Sequence, residues 1–132
     1  MERVELTAGN GRTLALQHLS DPDDDLIWSY QATLAVPGAG AITTIVHDHS
    51  RLLATYFRDL ADAWSGFDGT KSFASLEGQL TVDANHDGLG TVRCLIHLRQ
   101  PWPPEWDLSA SFDLGAGAHL DQLANEVEMF TG

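Results

Sequence analysis

Residues 42–64, ITTIVHDHSRLLATYFRDLADAW, change their hydrophobic period near Ser50, and this change decides the fold class. Before Ser50, apolar and β-branched residues alternate as they do on the faces of a strand. After it, apolar residues recur every three to four positions, as on one face of a helix: Leu53, Tyr56, Phe57, Leu60 and Trp64. The stretch predicts a strand followed by an amphipathic helix over residues 51–64, with Ser50 as N-cap and Trp64 in the core.

Alternation with a period of two predicts the strands on both sides of this helix. Four strands precede it, with turns at Asn10-Gly11 and at residues 37–40. Three strands follow it, near residues 73–84, 92–99 and 106–114, and a second amphipathic helix covers residues 118–130. In the strand over residues 73–84, Leu76 is expected on the inward face and Glu77 on the outward face.

The predicted element order is β-β-β-β-α-β-β-β-α. Its strand connections are short enough for hairpins, so the pairing is expected to be antiparallel. Two helices with a mainly antiparallel sheet of about seven strands define an α+β fold. No repeat, linker or break in composition divides the sequence, and we expect a single domain over residues 1–132.

The chain of 132 residues carries 7 Lys and Arg against 19 Asp and Glu, which gives a formal net charge of −12. A surface this negative repels nucleic-acid phosphates and anionic lipid, and it attracts basic partners. We therefore expect no nucleic-acid partner and no membrane partner, but a basic protein partner. No stretch approaches the ~18 uninterrupted apolar residues of a membrane-spanning helix.

The number of cysteines and the first residues of the chain indicate the cellular compartment of the protein. Cys94 is the only cysteine, so an internal disulfide is impossible, and its alternation with Ile96 and Leu98 predicts a small buried hydrophobe. The start Met1-Glu2-Arg3-Val4-Glu5 has neither the basic nor the apolar region of a secretory signal. A soluble protein of the reducing cytoplasm is the expectation.

Two motifs suggest metal sites, and each lacks part of its ligand set. Asp83-Ala84-Asn85-His86-Asp87-Gly88 matches the first half of a calcium loop, but Cys94 occupies the position of the bidentate glutamate. The same residues are typical of a hairpin turn, which is the interpretation we prefer. His47 and His49 project from one side of a strand without a third ligand. We therefore expect no metal and no cofactor.

No residue pattern indicates catalysis. The sequence contains neither a nucleophile elbow nor a phosphate-binding loop. Glu77 and Asp83 on one predicted strand are separated by roughly 20 Å. That separation exceeds the ~5–10 Å between the carboxylates of glycosidases. We predict no catalytic residue and a chain that is not an enzyme.

Two features indicate a binding surface instead. A run of aspartates after Ser20 reads as a solvated loop, whose charge either confers solubility or contacts a basic partner. Trp102 stands between Pro101 and Pro103 and is expected to be exposed on a stiff loop. The predicted partner-binding residues are Asp21, Asp23, Asp24, Asp25, Glu77, Asp83, Asp87 and Trp102.

The second half of the chain contains four short motifs: Trp64-Ser65-Gly66, Gly69-Thr70-Lys71-Ser72-Phe73, Ser75-Leu76-Glu77-Gly78 and His86-Asp87-Gly88-Leu89-Gly90. With the closing amphipathic helix, they resemble an uncharacterised bacterial domain family from residue 57 onward. The family carries no established activity. Its layout of sheet, helix, sheet and helix is similar to that of immunity proteins cognate to WapI-type polymorphic toxins. Thr91 stands where the family favours histidine, which argues against His86 as a required catalytic base.

The sequence thus predicts a non-catalytic acidic protein-binding domain, such as an immunity protein that inhibits a basic toxin. The alternative is a small-ligand-binding domain or enzyme with a pocket between the sheet and the first helix. A gap filled by Trp28, Tyr30, Phe57 and Trp106 would argue against that pocket. A third alternative is an oligomeric scaffold that uses an exposed sheet face, and the oligomeric state stays open.

Overall fold

The computed structural model describes residues 2–19, 27–49 and 51–131 of the chain. These residues form eight strands and two helices. In chain order the elements are β1 (Arg3–Thr7), β2 (Thr13–His18), β3 (Ile27–Val36), β4 (Gly40–His49), α1 (Leu52–Asp62), β5 (Thr70–Ala74), β6 (Leu80–His86), β7 (Thr91–Pro101), β8 (Pro104–Gly115) and α2 (Ala118–Thr131).

The strands form two four-stranded sheets, in which each strand pairs antiparallel with its neighbour in the sequence. The first sheet runs β1-β2-β3-β4 and is followed by α1. The second sheet runs β5-β6-β7-β8 and is followed by α2. The fold therefore consists of two consecutive units, and each unit is a four-strand meander followed by a helix. The predicted α+β class with antiparallel pairing is confirmed.

The structure has one strand more than predicted, because a turn interrupts the predicted strand over residues 73–84. Ser75 N–H donates to Leu80 O at 2.9 Å, and Gly78 N–H donates to Ser75 O at 3.0 Å. Gly78 has a φ of +76°, which glycine adopts without strain. Leu76 and Glu77 are exposed in this turn instead of lying on opposite faces of a strand. The apolar Leu76 continues the alternation and so hides the turn in the sequence.

The inner faces of both sheets and the apolar stripes of both helices share one hydrophobic core. Its largest fully buried side chains include Trp28 and Tyr30 of the first sheet, Phe112 of the second sheet and Phe130 of α2. Cys94 is also fully buried, and burial raises the pKa of its thiol to about 12. The prediction of a buried cysteine is confirmed.

The first helix is shorter than predicted. It ends at Asp62, and Gly66 N–H donates to Ala63 O in a turn that directly follows. Trp64 therefore lies beyond the helix and is 60% exposed, which corrects its predicted place in the core. Ser50, the predicted N-cap, lies outside the described residues. Neither of the two helices in the described ranges is long and apolar enough to cross a membrane.

Arg58 of α1 connects the two helices. Its Nε donates to Glu128 Oε1 at 2.7 Å, its Nη1 donates to Asp121 Oδ1 at 2.8 Å, and its Nη2 donates to Asn125 Oδ1. The three acceptors recur at intervals of three to four residues, so they lie on one face of α2. This network fixes α1 along that face, and it raises the pKa of the Arg58 guanidinium.

The connections of the second sheet lie at two opposite ends. At one end, which we call the motif end, the loop of residues 63–69 meets the turn of residues 87–90. At the other end, which we call the far end, the β5–β6 turn lies beside β4, because Leu76 N–H donates to His47 O at 3.1 Å. Strand β6 separates the two ends by roughly 20 Å, or six steps of ~3.3 Å.

Candidate binding surface

His86 holds the two loops of the motif end together. Its Nε2 lies 3.0 Å from the backbone oxygen of Trp64, and Gly88 N–H donates to its Nδ1 at 2.8 Å. A carbonyl oxygen only accepts and a backbone N–H only donates, so Nε2 carries the proton and Nδ1 carries the free electron pair. Both nitrogens of the neutral ring are therefore engaged in structural hydrogen bonds.

The imidazole ring of His86 also packs against the loop of residues 63–69. Its centroid lies 5.6 Å from the centroid of Phe67, with the two rings edge to face. Gly66 has a φ of +137° and lies next to the ring, since a Cβ there would be in ordinary van der Waals contact with the imidazole at 4.0 Å. On the Phe67 ring, Lys71 Nζ lies 5.3 Å from the centroid. His86 thus joins motifs that are about twenty residues apart in the sequence.

Asp87 stabilises the turn between β6 and β7. Its Oδ1 accepts the backbone N–H groups of Leu89 at 2.6 Å and Thr91 at 3.0 Å. These hydrogen bonds favour the charged form and lower the pKa of the carboxyl group. The hairpin interpretation of the calcium-like motif is confirmed. Within the described ranges, no group of three or more His, Cys, Asp or Glu side chains is placed to hold a metal ion.

Two large apolar side chains stand exposed on the motif end. Trp64 is 60% exposed and Leu89 is 91% exposed, although the loops that carry them are fixed through His86 and Asp87. The two loops line a shallow depression that also includes the exposed Asp68. The motif end therefore combines exposed apolar groups with carboxylates on loops that hydrogen bonds hold together. We call Trp64, Asp68, Asp87 and Leu89 the motif-end surface.

Ion pairs neutralise other parts of the surface. Arg3 pairs with Glu5 at 3.1 Å, and Arg93 pairs with Asp113 at 2.8 Å, as Arg58 does with its two partners on α2. Asp68 and Asp87 take part in none of the ion pairs that the described residues form. The carboxylates of the motif-end surface thus lie outside these ion pairs, while Lys71, near Phe67, and Arg93, near Asp87, are cations close to them.

The structure distributes the other predicted binding residues over separate places. Asp83 lies on the outer face of the second sheet and accepts from Ser72 Oγ at 2.6 Å. Glu77 lies in the β5–β6 turn, and Trp102, 86% exposed as predicted, lies in the β7–β8 turn, both at the far end. Of the predicted residues with described positions, only Asp87 belongs to the motif end. Asp21, Asp23, Asp24 and Asp25 lie outside the described residues.

Asp48 is a buried carboxyl group that the sequence analysis overlooked. Its Oδ1 accepts the backbone N–H of His49 at 2.9 Å, and its Oδ2 accepts the Tyr30 hydroxyl at 3.3 Å. Burial raises its pKa from 3.8 to about 6. The alternation of β4 indicates this inward orientation, because Asp48 lies two residues after the buried Val46. His47, between them, faces outward, and its Nδ1 lies 2.8 Å from Ser29 Oγ.

An aromatic cluster on β2, β3 and α2 includes Tyr30, the hydrogen-bond partner of this carboxyl group. His18, Trp28, Tyr30 and Phe130 contact one another with centroid distances of 4.8 to 6.1 Å. His18 Nε2 lies 2.6 Å from the backbone oxygen of Phe130, which connects β2 to the end of α2. Trp28 pairs with Asp48 across the two strands, and its buried Nε1 has no hydrogen-bond partner in the structure.

The four aromatic residues whose packing would argue against a pocket belong to one hydrophobic core. Trp28, Tyr30 and Phe57 are buried in it, and Trp106 is half-buried against it. This packing weighs against a small-ligand pocket at that place. A groove that opens on the surface lies between Arg51, which precedes α1, Arg58 of α1 and Glu128 of α2.

Fold and surface together define a small α+β protein, built from two meander-plus-helix units, with exposed apolar side chains and carboxylates on two hydrogen-bonded loops. The chain belongs to the family of unknown function DUF6228, whose model matches residues 5–132. The match also includes the first sheet, which carries none of the recognised motifs. No curated protein and no solved structure is significantly similar to the chain.

Proposed function

We propose that the chain is a non-catalytic protein-binding domain that inhibits a basic protein toxin, in the manner of an immunity protein. The observation that carries the proposal is the motif-end surface, where Trp64 and Leu89 are exposed on the two loops that also carry Asp68 and Asp87. We place this function in the cytoplasm, because a chain with one cysteine needs no oxidising compartment.

The apolar members of this surface suit the centre of an interface. Protein interfaces draw most of their affinity from a few residues, and tryptophan is prominent among them. The backbone oxygen of Trp64 is held by His86, so little conformational freedom of this loop is lost on binding. A basic partner with an apolar pocket would bury Trp64 and keep its cations near the carboxylates.

The charge of the chain supports the basic character of the partner. A net charge of −12 attracts a positive surface over a long range and increases the rate of association. The hydrogen bonds that lower the pKa of Asp87 keep this carboxylate ionised at neutral pH. A toxin that acts on nucleic acid has a positive cleft, which such a domain can cover as a phosphate mimic.

The side chains of the motif end support binding more than catalysis. Both nitrogens of His86 are engaged, so the ring offers no free base. The Cys94 thiol is buried, and its pKa of about 12 keeps it protonated at neutral pH. Among the described residues, Asp48 is the carboxyl group whose pKa is clearly raised, and it lies in the core without exposure to a substrate.

A pair of tryptophan variants tests the proposal. The chain is immobilised, and its binding to a basic protein encoded by an adjacent gene is measured as a function of salt. We expect Trp64→Ala to weaken binding by about 30-fold, because a central tryptophan contributes ~2 kcal/mol or more. Trp102→Ala is the matched control, since Trp102 is a tryptophan with still greater exposure, 86% against 60%, but lies at the far end. We expect less than about a twofold effect there.

Two outcomes would contradict the proposal. One is that no adjacent gene encodes a basic protein that binds the chain. The other is that Trp102→Ala weakens binding while Trp64→Ala does not, which would place the interface at the far end. Binding that does not weaken with added salt would argue against the electrostatic part of the proposal.

A further inference from the structure

The two sheets have four edge strands in the described part of the chain, and three of these edges are protected. Strand β1 carries Arg3 and Glu5 and packs against α2. On β5, Tyr56 Oη donates to the backbone oxygen of Lys71 at 2.8 Å. On β8, Arg12 Nη1 donates to the backbone oxygen of Ser111 at 2.8 Å, and Asp107 and Asp113 add charge. Such devices prevent an open edge from pairing with another chain.

Strand β4 is the fourth edge and has a different character. It is ten residues long and pairs with β3 on one side. Residues 26–47, which include most of the β3–β4 hairpin, contain no Asp, Glu, Lys or Arg, in a chain with 26 such residues in total (7 + 19). The section Ile42-Thr43-Thr44-Ile45-Val46 is entirely β-branched, a composition that favours strand pairing.

The backbone of β4 is oriented for a further strand. The carbonyl of His47 points away from β3, because it accepts the Leu76 N–H. In an antiparallel strand, alternate residues direct their N–H and C=O groups to the same side, so Ala41, Thr43 and Ile45 point outward as well. No hydrogen bond to these outward groups is found among the described residues. From Ala41 to Ile45, the edge is thus unpaired with respect to the part of the chain that the structure describes.

We propose that β4 pairs antiparallel with β4 of a second copy of this chain, which joins the two first sheets into one eight-stranded sheet. Pairing around a two-fold axis at Thr43 places Thr43 opposite Thr43 and Ala41 opposite Ile45. Threonine pairs of this kind already occur within the sheet, where Thr33 Oγ1 and Thr43 Oγ1 lie 2.8 Å apart.

The charge distribution favours a second copy of the chain as the partner that pairs with the edge of β4. Two chains of net charge −12 repel each other over most of their surfaces, and an uncharged edge is where they approach at the lowest electrostatic cost. A basic partner, in contrast, gains nothing from an edge that lacks carboxylates. This surface also differs from the motif-end surface, so the two proposals stand or fall separately.

The test compares Thr43→Lys with Thr33→Lys in the full chain by sedimentation velocity over a range of concentrations. Thr33 and Thr43 are opposite each other on the same sheet face, so both variants lose the same hydroxyl contact and gain the same charge. Only Thr43 lies on the edge strand. We expect the native chain to form a dimer of twice 14.4 kDa, and Thr43→Lys to weaken it by about tenfold or more through like-charge contact.

Further measurements keep the test decisive. Thr33→Lys is expected to leave the dimer within about threefold of the native affinity, since additional charge away from the edge is screened. Ile45→Pro removes one outward N–H without affecting the β3–β4 ladder, and it should also give monomers. Circular dichroism confirms that each variant is folded. Added salt should strengthen the dimer, whereas it should weaken binding of a basic toxin.

Several results would overturn this inference. The native chain could sediment as a monomer at all concentrations, or the two lysine variants could weaken the dimer equally. A chain that is monomeric alone but loses its basic partner on Thr43→Lys would show that the edge receives a strand of that partner instead. If Trp64→Ala does not weaken binding of the basic partner, the proposed dimer is still expected, because Trp64 is not part of β4.

Discussion

Replacing Asp48 with asparagine removes a buried charge and should stabilise the protein at neutral pH. Asp48 is 0% exposed, and burial raises its pKa from 3.8 to about 6. Asparagine can keep both contacts, because its carbonyl oxygen accepts the His49 N–H and its amide group donates to the Tyr30 oxygen. The substitution therefore changes the charge and little of the packing.

The raised pKa of Asp48 links the stability of the protein to pH. The folded state binds this proton more tightly than the unfolded state, so the contribution is most favourable below about pH 4 and is lost as the pH rises through 6. One pKa unit corresponds to ~1.4 kcal/mol, so a rise of about two units costs roughly 3 kcal/mol at pH 7.5. We expect Asp48→Asn to regain about 2 to 3 kcal/mol there and roughly half of that at pH 5.

Urea denaturation followed by tryptophan fluorescence measures this difference. The native chain, Asp48→Asn and the control Asp68→Asn are compared at pH 5 and pH 7.5. Asp68 is exposed, so its substitution makes the same change in net charge without relieving burial. The reasoning is refuted if Asp48→Asn lowers the free energy of unfolding at pH 7.5, or if its gain over the control is the same at both pH values.

Two further predictions concern the motif end and the core. His86→Ala removes the hydrogen bonds to Trp64 O and from Gly88 N, and we expect it to lower the free energy of unfolding by about 1 to 2 kcal/mol in urea titrations. His86→Asn, which restores one of the two bonds, should recover part of that loss, and equal stability of native chain and alanine variant would contradict the bridging role. Cys94 should react with a thiol reagent only as fast as the protein unfolds, because its side chain is buried and protonated. Rapid labelling of the folded chain, followed by absorbance, would show that the thiol is accessible.

Local pattern in the sequence determined most of the secondary structure. The period change at Ser50 and the alternation around Cys94 depend on side-chain directions that repeat every two or 3.6 residues, so they are visible without knowledge of any distant contact. The same rule failed at Leu76, where an apolar residue occupies the expected position in a turn. It also failed at Trp64, because the position at which α1 ends depends on the turn that Gly66 makes.

Tertiary structure alone decided which side chains meet. Trp64 and His86 are 22 positions apart (86 − 64), and their hydrogen bond exists because the loop after α1 lies against the β6–β7 turn. The alternation of β4 could have shown that Asp48 faces inward, but its contact with the Tyr30 hydroxyl depends on how β4 pairs with β3. Solvent access and contact between distant segments depend on how the two sheets and helices enclose one core, and the spacing of residues along the chain does not encode that enclosure.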